Sequence, residues 1–214
     1  RGNGMGRRKD ELTPPPSTPD PMPLLLKLDP AEKNISDIEI INIDLMSGEH
    51  KTPEYRAIAP NSRIPALELD DGTVIMESTA ICRYLESLYP EPNLFGENPI
   101  EIASIEMWQA RIYNELMIPL AMAFRHLHPG MSEMEIQNKE YGKTQKTIGI
   151  KSLKYFDAAL TEAKFVAGDR FTFADIQMIT TTDFFISLNR LTLEDYPEIK
   201  RHSKLMSERS SFSA

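Results

Sequence analysis

The stretch NSRIPALELDDGTVIMESTAICRYLE, residues 61–86, decides the fold of this chain. Pro65 precedes a short apolar run, and a proline there belongs at the start or edge of a strand because it cannot donate to a sheet ladder. Asp70, Asp71 and Gly72 predict a hairpin turn, since Asp-Gly supplies the positive φ angles that tight turns require. The stretch therefore predicts a strand, a hairpin, a second strand and then a helix.

The predicted helix begins at Glu77 and Ser78. The first N–H groups of a helix have no partner within it and carry a partial positive charge, so Ser78 and the amides after it suit a carboxylate. Pro65 leaves the backbone of Ile64 available to a ligand. This unit therefore predicts an anion-binding site.

At these residues the chain resembles the glutathione transferase family, and in particular its bacterial-type cytosolic members. The resemblance runs from about Ile38 to the C-terminus and includes GEHKTPEY, RYLE..YPEPNLFG and VAGDRFTFADI. It implies an α/β thioredoxin-like N-terminal domain, with a cis proline before its third strand, followed by an all-α C-terminal helical domain. Before Ile38 the segment is atypical of the family.

The resemblance also implies a glutathione site. In the family, the residue before the cis proline pairs its backbone with the cysteinyl part of glutathione. A Glu/Gln-Ser pair holds the γ-glutamyl carboxylate and amine, and cationic residues hold the glycine carboxylate. The residues that take these roles here are His50, Lys51, Arg63, Ile64, Pro65, Glu77 and Ser78.

Composition limits the function classes. At 214 residues, with 41% hydrophobic and 26% charged residues, the chain is an ordinary globular protein. A net charge of −8 argues against nucleic acid as a partner. The basic run Arg7-Arg8-Lys9 is interpreted as a tag remnant or solvated tail. No apolar stretch approaches the roughly 18 residues of a membrane span, so we expect a cytoplasmic protein with no membrane partner.

The cysteine and histidine pattern argues against a metal site. Cys82 is the single cysteine, which excludes an internal disulfide, and its helical spacing favours a small core residue over a nucleophile. His126 and His128 lie two residues apart, which does not suit two ligands on one helix. We expect them to complement the C-terminal dipole of a helix that ends before Pro129.

The chain divides into four predicted parts. Residues 1–22 are irregular and rich in proline and glycine, and residues 23–90 form the thioredoxin-like domain. Residues 91–99 are a proline-containing linker, and residues 100–214 form the helical domain. Within the first domain, IEIINIDL from Ile38 predicts a strand because of its β-branched residues.

The helical part carries three periodic segments. The first runs from Ile100 to His126 with a kink at Pro119, the second from about Glu133 to Ala163, and the last from Pro197 to about Met206. The resemblance implies that the first lines the pocket for a second, electrophilic substrate, formed by Phe124, Arg125 and His128.

Thr172-Phe173-Ala174-Asp175 has the form of an S/T-x-x-D capping box at the start of a buried helix. Thr172 and Asp175 are therefore assigned a structural role.

The chemistry implied by the family requires a thiolate. A free thiol has a pKa of about 8.5, and lowering it by about two units needs roughly 2.7 kcal/mol of differential stabilisation. In the family a Tyr, Ser or Cys after the first strand supplies this. No tyrosine precedes Tyr55, so Ser17 is the first candidate for the catalytic hydroxyl and Thr18 the second.

The segment that should carry this hydroxyl admits two assignments. In one, residues 23–30 form the first helix and residues 6–13 the first strand, but the latter hold only one large apolar residue. In the other, residues 23–28 are the strand, which leaves only nine residues before Ile38, too few for a parallel crossover. Neither assignment gives an intact first strand and helix.

Three functions remain open. The first is a glutathione transferase that conjugates the thiolate to a small, mostly apolar electrophile. The second is a protein of this fold that binds glutathione or a hydrophobic ligand without turnover, and the third is an interaction module. The resemblance further implies a homodimer, with glutathione as co-substrate and no metal.

Overall fold

The structure is a computed structural model that describes residues 30–36, 38–45, 47–132 and 134–213. Strands β1 (Ala66–Glu68) and β2 (Val74–Met76) pair antiparallel. Gly72 has a φ of 82°, and its amide donates to the carbonyl of Leu69 at 2.9 Å. The predicted hairpin is confirmed, because Asp-Gly supplies the positive φ that this turn needs.

Seven complete α-helices are found in the described ranges, besides the helix end at residues 30–32. They are α1 (Pro53–Ile58), α2 (Ser78–Leu88), α3 (Pro99–Arg111), α4 (Ile118–Leu127), α5 (Lys139–Thr161), α6 (Phe173–Leu188) and α7 (Pro197–Ser207). Short 3-10 turns lie at Glu49–Lys51, Pro129–Met131, Leu193–Asp195 and Ser210–Ser213. The chain therefore has a small α/β part followed by a helical part, as the sequence predicted.

Side-chain caps determine where several helices begin. The Asn98 side chain accepts from the amide of Glu101 at 3.1 Å, and Pro99 follows at the first helical position of α3. Asn138 caps α5 in the same way, through the amide of Tyr141 at 3.0 Å. We expected α5 from about Glu133, but the capping asparagine sets its start at Lys139.

A π-helical turn, Ile112–Met117, joins α3 to α4. We predicted a kink at Pro119, which lies buried in the first turn of α4. Pro119 has no N–H to donate to the carbonyl of Glu115, so the regular α-helical ladder cannot run through this turn. The irregularity therefore precedes the proline and takes the form of a π turn.

The predicted strand from Ile38 is wrong for the described chain. A strand requires a pairing partner, and the sheet found in the described ranges contains β1 and β2 alone. Ile40 and Ile41 are 48% and 49% exposed. The β-branched residues favour a strand conformation, but a strand also needs a neighbouring strand to pair with, and composition does not reveal one.

The end of a helix precedes this segment. Pro30 to Glu32 are helical, and Asn34 then takes a φ of 54° while the amide of Ile35 donates to the carbonyl of Pro30 at 3.0 Å. This fits the assignment in which the first helix ends near Ala31, and the rest of that assignment lies outside the described residues.

A buried lysine attaches this helix end to the linker. Lys33 Nζ donates to the carbonyls of Tyr89 and Pro92, at 2.8 Å each, and pairs with Glu86 at 2.6 Å. Glu86 also accepts from the amide of Leu94 at 3.1 Å. Two carbonyl groups and one carboxylate therefore compensate the buried charge of Lys33, as a buried lysine requires.

Two apolar clusters hold the molecule together. The larger lies within the helical part and includes Leu120, Leu153 and Met178. The smaller joins α2 to the helical part and contains Cys82, Leu94, Phe95, Phe173, Ile176, Ile179 and Met206. Cys82 is fully buried, which confirms its predicted place in the core. Fully burying one Leu, Ile, Phe or Met side chain of these clusters contributes about 1.5–3 kcal/mol.

The capping box at the start of α6 is confirmed. The Thr172 amide donates to one oxygen of the Asp175 carboxylate at 2.8 Å. The other oxygen accepts from the amide of Val166 at 2.8 Å and lies 2.9 Å from His202 Nε2. Asp175 is fully buried and connects three segments of the helical part.

Over the described part of the chain, no helix has both the length and the apolar character needed to cross a bilayer.

Candidate functional site

The first component of the site is the peptide bond between Ile64 and Pro65, which is cis and lies just before β1. The Tyr55 hydroxyl donates to the carbonyl of Arg63 at 2.7 Å and so fixes the approach to this bond. Burial raises the pKa of the Tyr55 hydroxyl, which keeps it a neutral donor. Ile64 and Pro65 are half-buried, whereas Arg63 is exposed.

The second component is the start of α2. Glu77 precedes the helix with a φ of 71°, and Ser78 is its first residue, 2% exposed. A non-glycine residue in such a conformation costs about 1–3 kcal/mol and persists only where its surroundings enforce it. The Glu77 side chain is exposed. The predicted helix start at Glu77 and Ser78 is confirmed.

The hairpin brings these two components together. In its register Ala66 lies opposite Met76. The neighbouring residues, Pro65 and Glu77, are therefore at the same end of the strand pair, although they are twelve positions apart in the sequence. Helix α2 contacts both strands, so the cis-proline segment lies beside the N-terminal turn of a helix that favours anions.

The third component is the 3-10 turn Glu49–Lys51. His50 Nδ1 is buried and has no hydrogen-bond partner within the described chain, while Lys51 is exposed. A buried polar atom without a partner costs about 1–3 kcal/mol, so this nitrogen is suited to a polar group of a ligand. The sequence predicted His50 as a site residue, but it did not predict that the Nδ1 atom would be buried without a partner.

Helix α1 connects this turn to the cis-proline segment. Its N-cap, Thr52, accepts from the amide of Tyr55 at 3.3 Å, and Tyr55 in turn bonds Arg63. Arg56 Nε donates to Ser62 Oγ at 3.0 Å. The turn with residues 50–51 therefore directly precedes α1, and the middle of α1 contacts residues 62–63 through Tyr55 and Arg56.

A separate cavity of about 270 Å³ lies in the helical part, where α4, α5 and α6 converge. The residues around it are Ala123, Phe124, Leu127, His128, Pro129, Lys146, Leu188, Asn189 and Arg190. Phe124 and His128 face one another with ring centroids 4.8 Å apart. Both were predicted to shape a second-substrate pocket.

Arg125, the third residue predicted for that pocket, has a different environment. Its Nε donates to a carboxylate oxygen of Glu135 at 2.6 Å, and Arg125 is absent from the residues around the cavity. The cations at the cavity are instead Lys146 and Arg190. Sequence reasoning missed both, because Lys146 lies on α5, Arg190 lies just after the end of α6, and nothing local relates either residue to Phe124.

The two histidines at the end of α4 are hydrogen-bond acceptors. His126 Nδ1 accepts from the amide of Asn138, and His128 Nδ1 from the amide of Gly130, each at 3.1 Å. Helix α4 ends at Leu127, before Pro129 as predicted, and both rings hydrogen-bond the backbone that follows the helix. In the neutral ring, Nε2 is then the donor.

Ser17 and Thr18, the predicted catalytic hydroxyls, lie outside the described residues. In the part of the chain that the structure describes, no group of three or more His, Cys, Asp or Glu side chains could hold a metal ion.

Comparison with known proteins identifies the family. Residues 26–88 match the model of the glutathione S-transferase N-terminal domain, and residues 115–210 that of the glutathione S-transferase C-terminal domain. A yeast relative from Saccharomyces cerevisiae, glutathione S-transferase 2, is 36% identical over 212 residues, which cover 98% of this chain and 91% of the relative. The chain belongs to the glutathione S-transferase family.

Solved glutathione S-transferase structures show the same fold. That of Gtt2 from Saccharomyces cerevisiae is 38% identical, with a TM-score of 0.82, over 89% of this chain and 93% of that one. A glutathione S-transferase domain-containing protein from Marinobacter aquaeolei VT8 is 32% identical, with a TM-score of 0.81, over 90% and 95%. The fold is thus a thioredoxin-like N-terminal domain with an all-α C-terminal domain. The family uses glutathione as co-substrate and is commonly dimeric.

Proposed function

We propose that this glutathione S-transferase binds glutathione along the cis-proline segment and the start of α2, and that it conjugates the glutathione thiolate to a small electrophile. The observation that carries the proposal is the register of the hairpin, which sets Ile64 and Pro65 beside Glu77 and Ser78. A cis-proline segment beside a helix N-terminus, which favours anions, supports a site for the extended tripeptide there.

The charges of the site match those of the tripeptide. Glutathione carries two carboxylates and one ammonium along an extended chain. In the proposed complex, Ser78 and the first turn of α2 hold the γ-glutamyl carboxylate, and Glu77 holds the ammonium. The backbone of Ile64 pairs with the cysteinyl residue.

The glycine carboxylate is proposed to lie against His50, Lys51 and Arg63. Two of these are exposed cations, and the third has a buried ring nitrogen that lacks a partner in the described chain. A bound carboxylate or its water would complete the hydrogen bonding of the His50 ring, which supports a ligand at this position.

The proposed reaction is a thiolate substitution or addition. The thiol loses its proton to solvent, and the sulfur forms a bond to an electrophilic carbon. In a substitution, the leaving group departs with its bonding electron pair. In an addition, the π bond of the electrophile breaks, and its electron pair takes up a proton from solvent. Ser17, or failing that Thr18, is the proposed hydroxyl that donates to the thiolate and lowers the pKa of the bound thiol.

Two measurements test the proposal. Titration calorimetry measures glutathione binding, and the rate of glutathione conjugation to 1-chloro-2,4-dinitrobenzene, compared with the rate in buffer, measures catalysis. We expect saturable binding and a rate well above that in buffer. Binding without any added rate would favour the non-catalytic ligand-binding function, and absence of binding would favour an interaction module.

The same assay tests the activating hydroxyl. In Ser17→Ala, we expect the ultraviolet absorbance of the bound thiolate to fall and the pH profile of kcat/KM to shift upward, because a hydrogen bond to the thiolate is lost. Thr18→Ala is the matched variant. If neither variant nor the double variant moves the profile, both residues are excluded.

We further propose that the protein is a homodimer. Helix α5 presents Tyr141, Ile148 and Tyr155 at a spacing of seven, each 41–42% exposed, and Met107 on α3 is 47% exposed. Trp108 on α3 lies beside Tyr155, with ring centroids 6.4 Å apart. Exposed apolar residues grouped on adjacent helices are typical of an interface, and a second copy is the proposed occupant.

Sedimentation velocity tests the dimer directly. We expect twice the chain mass for the wild-type protein and a shift toward the monomer in Ile148→Glu, because a charge would be buried at the interface. Lys154→Glu, an exposed change on the same helix, is a control for altered charge. A wild-type monomer at micromolar concentration would refute the proposal.

A further inference from the structure

We infer that the cavity between α4, α5 and α6 is a non-catalytic binding site for small phosphate monoesters, separate from the proposed glutathione site. Its lining belongs to the helical part alone and combines the apolar residues Phe124, Leu127 and Leu188 with the cations Lys146 and Arg190. No acidic side chain is among the described residues around it. On a chain with a net charge of −8, a group of cations without acids indicates a site for an anion.

Arg190 lacks the carboxylate partner that most arginines of this chain have. It forms no ion pair with any acid of the described chain. The other arginines that do pair with a carboxylate are Arg83, Arg111, Arg125, Arg170, Arg201 and Arg209. The guanidinium of Arg190 therefore keeps its planar set of donors for a ligand, and that set matches a phosphate group in a bidentate geometry.

Lys146 lies next to Arg190. Its Nζ donates to the carbonyl of Asn189 at 2.7 Å, and this carbonyl belongs to the peptide bond that precedes Arg190. Two of the three ammonium protons remain for a ligand. Two positive charges close together, with no acid between them, favour a dianion over a singly charged ligand. A phosphate monoester carries a charge of about −1.5 to −2 at pH 7, which matches the two cations.

The backbone of Arg190 is a second, independent observation. It has a φ of 54°, and the amide of the next residue, Leu191, donates to the carbonyl of Ile186 at 2.9 Å. This is the C-terminal motif of a helix in which glycine is the usual residue, because a Cβ is unfavourable there. An arginine at this position costs stability that a glycine would not, which favours a role of its side chain in binding over a role in folding.

The other lining groups suit the organic part of a monoester. Phe124 offers an aromatic face, and the ring of His128 lies 4.8 Å from it, measured between centroids. His128 Nδ1 accepts from the amide of Gly130 at 3.1 Å, so in the neutral ring Nε2 is a further donor. The cavity volume of about 270 Å³ is close to the lower end of the range for small-molecule sites. It therefore suits a phosphate that carries a single ring or a short chain.

Titration calorimetry with phenyl phosphate tests the inference. Inorganic phosphate, which lacks the ring, and benzoate, which carries a single charge, are the matched ligands. We expect phenyl phosphate to bind the wild-type protein saturably and about tenfold more tightly than either of them, because charge-assisted hydrogen bonds and the apolar lining both contribute. Saturating glutathione should leave the affinity for phenyl phosphate unchanged, because the cavity is separate from the proposed glutathione site.

Variants of the two cations locate the bound ligand. Arg190→Gly should weaken the binding of phenyl phosphate at least tenfold, because a charge-assisted contact is lost. The melting temperature of this variant should equal or exceed that of the wild-type protein, since glycine relieves the backbone, so lost binding could not be attributed to unfolding. Lys146→Met should also weaken binding, whereas Lys154→Met, which removes an exposed cation elsewhere on α5, should leave it unchanged.

The outcomes are independent of the proposed function, because none of these measurements uses the conjugation reaction. Absence of saturable binding of phenyl phosphate to the wild-type protein overturns the inference. Binding that survives both Arg190→Gly and Lys146→Met, or that glutathione displaces, also overturns it, because the ligand would then lie elsewhere. Equal affinity for inorganic phosphate or for benzoate overturns the assignment of a phosphate monoester.

Discussion

Ser78 is the single residue on which glutathione binding should depend most. We predict that Ser78→Ala weakens glutathione binding at least tenfold, because hydrogen bonds to a charged group contribute about 1.5–3 kcal/mol. Ser87→Ala, in the last turn of the same helix, is the control, since its hydroxyl bonds the carbonyl of Tyr84 at 2.6 Å. Calorimetry with glutathione gives both affinities, and equal affinities would remove Ser78 from the site.

Asp175 is the residue whose loss should most destabilise the helical part. In Asp175→Ala the buried amides of Val166 and Thr172 both lose their acceptor. We predict a loss of about 3–5 kcal/mol in the free energy of unfolding, measured by urea denaturation. Asp169→Asn, which changes an exposed carboxylate nearby, should stay within about 0.5 kcal/mol. Comparable losses in both variants would contradict this account.

For single residues, the sequence predicts a role when that role depends on neighbours close in the chain. Thr172 and Asp175 are three positions apart, so the capping box could be read from spacing alone. Arg190 and Lys146 are brought to one cavity by tertiary packing of different helices, and the unpartnered nitrogen of His50 depends on what surrounds it. Neither property has a local signal, so both required the structure.

Among the described elements, α4 and α5 contact one another most extensively. A Cβ at Gly149 would lie 2.5 Å from Leu120 Cδ2 and 2.9 Å from its Cγ, and Leu120 is fully buried. We predict that Gly149→Ala destabilises the protein by about 1–3 kcal/mol, although alanine is the better helix former. Thr147→Ala on the exposed face of α5 should be neutral or stabilising. An increase in melting temperature for Gly149→Ala would show that α4 can move away.

Helices and turns could be predicted where a few neighbouring residues determine them. The hairpin depends on Asp71 and Gly72, and the starts of the helices depend on their caps, so these features followed from neighbouring residues. A strand from Ile38 depends on a partner elsewhere in the chain, and composition could not supply one. Pro119 predicted the region of the irregularity in the long helix, but its π-helical form depends on packing.

The whole molecule is joined across its length by an ion pair between Glu32 and Arg209. Both oxygens of Glu32 accept from Arg209, at 2.7 Å each, and Ser211 donates to one of them. Burial opposes ionisation of Glu32, but the hydrogen bonds from Arg209 and Ser211 outweigh it and lower its pKa below 4.5. This pair connects the first described helix to the C-terminus.

The lowered pKa sets the sign of a pH effect. The stabilisation is fully present above the ordinary value of 4.5 and is lost as the pH falls through the lower folded-state pKa. We predict that the difference in unfolding free energy between the wild-type protein and Glu32→Gln is largest above that value and shrinks below it. Glu194→Gln, in an exposed pair with Lys200, should show little difference at any pH.

We propose that the unit formed by Ile64, Pro65, Glu77 and Ser78 is the glutathione site of the whole molecule. A crystal structure of the protein with glutathione tests it most directly. We predict that the γ-glutamyl carboxylate lies within hydrogen-bond distance of Ser78 and the first turn of α2, with the cysteinyl backbone paired to Ile64. Glutathione bound elsewhere, or density absent from this unit at saturating glutathione, would contradict it.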